Sequence, residues 1–156
     1  MNEKAHSHAN VIAPPPLIYA VGLLLSVLLQ RRFPTKFRFP KAAHGVSLVL
    51  MGLSFLLGSS ALFTLWRSRT TVLPHKPTTA IVSTGPFRYT RNPIYLSFNL
   101  LYIGIALLAN LLWAFLLLPL VLVMMNWGVI AREERYLAHK FGEEYQQYLG
   151  RVRRWL

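Results

Sequence analysis

Residues 92–131 read NPIYLSFNLLYIGIALLANLLWAFLLLPLVLVMMNWGVIA, 40 positions between Arg91 and Arg132 without a formal charge. A helix crosses a bilayer with about 20 apolar residues, so this run holds two spans rather than one. The division falls at Asn110, the best turn residue in its middle. At 1.5 Å per residue, 93–110 rises about 26 Å and 111–131 about 30 Å, which makes a tightly linked antiparallel pair. Pro119 lacks the N–H that a helix interior uses, and it is expected to kink the second member.

The pattern repeats towards the N-terminus. Lys41 and Arg67 enclose 25 uncharged residues, and Lys4 and Arg31 enclose 26. These give one span at 42–66 and one at 11–30. Pro14, Pro15 and Pro16 stand at the start of the first, where helical N–H groups lack partners anyway. A cleaved signal peptide fits poorly, because Arg31 and Arg32 follow the apolar run where a small-residue cleavage site belongs. In the second span Gly45, Gly52, Gly58, Ser59, Ser60 and Ala61 offer small surfaces for close helix approach.

Towards the C-terminus the character changes after Ala131. Leu137, Phe141, Tyr145 and Leu149 recur every four residues among charged positions, which predicts an amphipathic helix at the membrane surface, bent near Gly142. Arg151, Arg153, Arg154 and Trp155 then read as an anchor at headgroup level. The fold class expected is all-α integral membrane, with about four transmembrane helices plus this C-terminal amphipathic helix. It forms a single domain over 1–156, divided into two N-terminal spans (1–66) and a core (67–156).

Composition narrows the function. There are 17 Lys and Arg against 5 Asp and Glu, a net charge of +12, and no cysteine. A nucleic-acid binder would spread such charge along helix faces. Here it is confined between apolar runs, so no nucleic-acid partner is expected. Disorder and a secreted disulfide scaffold are also disfavoured. With four spans, the loop at 31–41 carries 5 Lys or Arg and the opposite face carries the remaining 12, which places that face in the cytoplasm. The expected location is a bacterial inner membrane with the site facing the cytoplasm, among membrane lipids. The sequence leaves the oligomeric state open.

Chemistry concentrates between the second and third spans. Residues 67–95 read RSRTTVLPHKPTTAIVSTGPFRYTRNPIY, a shaped loop that runs directly into a span. Phe87, Tyr89, Asn92 and Tyr95 gather beside that helix start, whose free N–H groups and positive dipole end attract anionic groups. Glu133 and Glu134 follow the last span on the same membrane face, where carboxylates are costly unless paired. As surface residues they would pair with Arg132 or Arg135, and Tyr89 and Tyr95 would be interfacial belt aromatics. The five histidines have no ligand spacing, so no metal is expected.

Residues 79–82, then Ser83-Thr84-Gly85-Pro86-Phe87-Arg88-Tyr89-Thr90-Arg91-Asn92-Pro93-Ile94-Tyr95, then Arg132-Glu133-Glu134 and Phe141-Gly142-Glu143-Glu144-Tyr145 with Tyr148, resemble the isoprenylcysteine carboxyl methyltransferase family and the related phospholipid N-methyltransferases. The likeness covers roughly 67–156. It implies an integral-membrane enzyme that transfers a methyl group from S-adenosylmethionine to a lipophilic small-molecule acceptor. By the same resemblance Thr79, Ala80, Ile81 and Val82 hold the cofactor through backbone groups. Phe87 contacts it, Asn92, Pro93, Ile94 and Tyr95 form the cofactor-contacting quartet, and Glu133 is the cofactor-binding glutamate. Two positions depart from the prenylcysteine enzymes. Asn92 replaces their usual His, and Val129 stands where they carry a substrate-handling Arg four residues before the glutamate. An amine-bearing lipid or other small hydrophobic nucleophile is therefore the expected acceptor.

Such a reaction needs donor and nucleophile aligned, which proximity and orientation supply; it requires no triad or metal. Arg132 is the candidate for handling an anionic acceptor, and Tyr89 and Glu134 are candidates for taking a proton from an amine. The other readings are a prenylcysteine carboxyl methyltransferase, a membrane reductase using a nicotinamide cofactor, and a non-catalytic lipid-binding or scaffold protein.

Overall fold

The computed structural model describes residues 11–70 and 80–156, so the expectation for Thr79 lies outside the described residues. Among the described residues the regular structure is helical, with no strand. The helices are α1 (Pro15–Arg32), α2 (Ala42–Arg67), α3 (Pro93–Leu108), α4 (Leu112–Val123), α5 (Ala131–Phe141) and α6 (Glu143–Arg151). A 3₁₀ turn, Gly85–Arg88, precedes α3, and a π-helical stretch, Met124–Ile130, joins α4 to α5.

Local chemistry explains the boundaries. Proline occupies the first turn of both α1 and α3, where a missing N–H costs nothing. Arg31 and Arg32 close α1 against its negative dipole end. Asn110 takes a left-handed φ of 53° between α3 and α4, so the turn falls at the residue that the sequence marks for it. Its Oδ1 also accepts a bond from the Phe39 backbone N–H at 3.0 Å, fastening the 33–41 loop to the hairpin.

α2 lies along α3, and α1 lies along α4 while also touching α3. Tyr19, Tyr102, Ala106, Ala114 and Met125 form the centre of the buried core. The Ser54 hydroxyl donates to the Ser97 carbonyl at 2.7 Å, and a Cβ on Gly104 would meet Met51 Cγ at 2.7 Å. That contact shows how closely α2 and α3 approach. Of the small residues expected to serve this approach, Ala61 is buried and Gly58 faces Ser97. Gly45 and Gly52 face open space instead, and Ser59 and Ser60 are exposed, because among the described residues α2 packs chiefly against α3 and turns its other faces outward.

Among the described residues two helices are long and apolar enough to cross a membrane, Ala42–Arg67 and Leu112–Phe141. The second is 30 residues long: the amphipathic helix expected after Ala131 is present as α5, continuous with the apolar helix before it. No glycine or proline follows Trp127 and Gly128 until Gly142, so α5 continues the apolar helix. The break comes only at Gly142, with φ 52°, where α6 begins. At 1.5 Å per residue such a helix is about 45 Å long, which exceeds a ~30 Å hydrocarbon core. Its charged residues all lie in α5.

Candidate active site

The site is assembled around the start of α3. The 3₁₀ turn sits on α2: Gly85 has φ 57°, and a Cβ there would meet Thr64 Oγ1 at 2.6 Å. The position therefore needs glycine both for its backbone conformation and for contact. From the other side, the Tyr148 hydroxyl on α6 donates to the Phe87 carbonyl at 2.8 Å. Tyr145 packs beside Tyr148 with ring centroids 6.2 Å apart. Burial, and secondarily the Glu134 carboxylate, push the Tyr145 phenol up to about 12, and burial raises Tyr148 as well. Both rings stay neutral and serve as packing and hydrogen-bonding groups.

Two of the expected cofactor residues meet here. The Tyr95 hydroxyl on α3 donates to Glu133 Oε1 on α5 at 2.7 Å. Behind this pair, the Tyr19 hydroxyl on α1 donates to Asn99 Oδ1 at 2.8 Å, so a side-chain amide joins α1 to α3. Glu133 and Glu134 are neighbours in sequence but meet different partners. Glu134 is gripped by Arg91, whose guanidinium lies 3.0 Å from Oε1, and by Arg154, which reaches both carboxylate oxygens. That hydrogen bonding raises the Arg154 guanidinium further above its usual range.

The segment after α6 folds back over the loop. The Arg153 carbonyl accepts the Arg91 backbone N–H at 3.0 Å. The Arg154 carbonyl accepts from Thr90 Oγ1 at 3.2 Å and from Asn92 Nδ2 at 2.9 Å. The Trp155 indole N–H donates to Asn126 Oδ1 at 3.1 Å, and Asn126 Nδ2 donates to the Leu122 carbonyl at 3.0 Å. Of the residues expected at headgroup level, Arg151 and Arg153 are exposed, whereas Arg154 and Trp155 find partners within the fold. A carboxylate and a π-stretch amide supply those partners.

Among the remaining expected residues, Val82, Asn92 and Pro93 are buried, while Ile81, Phe87 and Ile94 are half-buried. Ala80 is exposed, and Tyr89 is 66% exposed with the Arg88 guanidinium 5.1 Å above its ring. Arg132 is half-buried on α5, one position before Glu133. The pairing of Glu134 with Arg132 or Arg135 is replaced by Arg91 and Arg154, and the Arg135 Nε–H donates to the Ala131 carbonyl at 3.2 Å. Arg91, Arg154 and Tyr19 escaped the reading of the sequence. A signal was present for Arg91, which adjoins Asn92; the other two are set by the fold alone.

Chemically, the arrangement combines a carboxylate held by a phenol, a buried amide at a helix start, and aromatic faces nearby. Glu133 can accept hydrogen bonds from hydroxyl or ammonium groups. Glu134, with both oxygens engaged, works as a strut between the loop before α3, α5 and the returning segment.

A family model described as phospholipid methyltransferase matches residues 42–144, from the start of α2 into the first turn of α6. A protein of Haemophilus influenzae (strain ATCC 51907 / DSM 11121 / KW20 / Rd), described as an uncharacterized protein, is 41% identical over 63 residues, which is 40% of this chain and 100% of that protein. No solved structure matches the chain.

Proposed function

The chain belongs to the phospholipid methyltransferase family, and on that premise we propose that it transfers a methyl group from S-adenosylmethionine to a lipophilic acceptor in the membrane. The observation that carries this reading is the meeting of Tyr95 and Glu133 at 2.7 Å, from helices 38 positions apart in sequence. The residues fit the cofactor: a half-buried carboxylate beside a phenol matches hydroxyl and ammonium donors. Glu133 would bind the ribose hydroxyls or the amino group. Asn92, Pro93, Ile94 and Tyr95 would line the other side, with Phe87 and the backbone of 79–82 completing the hold. When bound, the cofactor supplies a methyl group already activated on a sulfonium. What the chain must provide is alignment, for which a large part of the barrier is available.

The acceptor proposed is an amine-bearing lipid. Val129, where a prenylcysteine enzyme would place an arginine, is fully buried and apolar, and it offers no cation to an acceptor carboxylate. Arg132 stays the candidate for steering an anionic headgroup. For the proton that an amine must lose, Tyr89 stands exposed at the loop, whereas the engagement of Glu134 by two arginines argues against that carboxylate.

Four crossings are proposed, with α1 and α3 added to the two long helices. Leu17, Val21, Leu24, Leu25 and Leu28 give α1 an exposed apolar face that suits lipid rather than water. The 16-residue α3 is about 24 Å long, so it reaches across only with its start, and the site with it, drawn to the depth of the interface. The excess of Lys and Arg on the site's face supports a cytoplasmic-facing site in the plasma membrane.

Purified protein in detergent, titrated with S-adenosylmethionine, S-adenosylhomocysteine and NADPH, tests the reading. Binding of the first two is expected. Binding of NADPH alone would favour a reductase, and binding of none a lipid-binding protein. Labelled methyl transfer to phosphatidylethanolamine and to a farnesylated cysteine analogue then separates the acceptors. Robust methylation of the second that collapses in Arg132→Ala would restore the carboxyl methyltransferase assignment.

A further inference from the structure

Residues 152–155 lie beyond the family-matched region and yet bind its most distinctive positions. Val152 is buried and extended (φ −125°, ψ 131°), which carries the chain from the end of α6 across the start of α3. The Arg153 and Arg154 carbonyls then take the Arg91 backbone N–H, the Thr90 hydroxyl and the Asn92 amide. The Arg154 guanidinium takes Glu134, and the Trp155 indole takes Asn126. Three separate elements are bridged: the loop before α3, the first turn of α5, and the π stretch. Ordering these residues costs backbone entropy, which an unanchored segment would not recover.

The contacts bear on the site itself. With Nδ2 of Asn92 committed to the Arg154 carbonyl, its Oδ1 is presented in a set direction. With Glu134 clamped between Arg91 and Arg154, the first turn of α5 is fixed, and Glu133 is carried on that turn. We propose that residues 152–155 form a strap belonging to the methyl-transfer site, in which Arg154 is a positioning residue for Asn92 and for Glu133; this rests on the methyltransferase reading above. A strap that holds cofactor-contacting groups is itself held more firmly when the cofactor is bound, since coupling between two sites is reciprocal.

The chain has no native cysteine, so Val152→Cys introduces a single buried thiol that a maleimide reaches only when the strap lifts. Saturating S-adenosylhomocysteine should slow its labelling by about tenfold, within the usual range of such coupling. Arg154→Ala should weaken S-adenosylhomocysteine binding by about tenfold, while Arg154→Lys, which keeps a cation beside Glu134, stays within about threefold of wild type. Should Arg154→Ala fail to fold, the labelling result decides. Labelling indifferent to the ligand, or equal ligand affinity in folded Arg154→Ala and wild type, would overturn the inference and leave the methyltransferase reading intact. Wild type that binds no S-adenosylhomocysteine would remove both.

Discussion

Replacing Glu133 by glutamine keeps the volume and one acceptor oxygen, removes the charge and turns the other oxygen into an NH2 donor. In the folded protein that oxygen receives the Tyr95 hydroxyl at 2.7 Å, so the variant retains a neutral hydrogen bond in place of a charge-assisted one. The difference is about 1 kcal/mol of stability, too little to unfold the chain. Ligand binding suffers more. A hydrogen bond from a ribose hydroxyl or an ammonium to a charged carboxylate contributes about 1.5–3 kcal/mol. Glu133→Gln should therefore weaken S-adenosylhomocysteine between roughly tenfold and a hundredfold by titration calorimetry in detergent. Tyr95→Phe supplies the control. If Tyr95 acts by orienting Glu133, its removal weakens binding in the wild-type background and adds little in Glu133→Gln. The resulting coupling should be about 1 kcal/mol, well above the ~0.3–0.5 kcal/mol scatter of independent sites. Unchanged affinity in a folded Glu133→Gln variant would refute the reasoning. So would strict additivity of the two substitutions, which would make the pair a structural brace between α3 and α5.

Two further predictions concern the fold. Gly142→Ala forces a side chain onto φ 52°, ψ −123°, a conformation close to glycine-only, and should destabilise the protein by about 1–3 kcal/mol; a thermal scan with an unchanged midpoint would mean that α5 and α6 can join without that break. Single cysteines at Gly150 and Thr35 should label with an impermeant reagent from opposite sides of the membrane, the first from the cytoplasm. Labelling of both from one side would leave α1 and α2 unable to cross as a pair with the hairpin.

What the sequence determines by itself is local. Charge-free runs of 25, 26 and 40 residues place the apolar helices, because excluding charge over that length has few other physical uses. Asn110 and Gly142 mark their breaks, because both can take a positive φ where neighbouring residues resist it. The order of motifs from Gly85 to Tyr95 and around Glu133 also points to the family. Tertiary structure alone decides which polar groups meet. Glu133 and Glu134 are adjacent and chemically identical, yet one faces Tyr95 and the other a pair of arginines, since successive helical residues are turned about 100° apart. Arg154 and Trp155 read as a surface anchor from composition, while the fold brings Arg154 back to Asn92 across 62 positions and gives both side chains partners within the fold. Hydropathy and turn preference act within a few residues, whereas a hydrogen bond across the fold depends on where every intervening helix has packed. That packing places Arg154 beside Glu134.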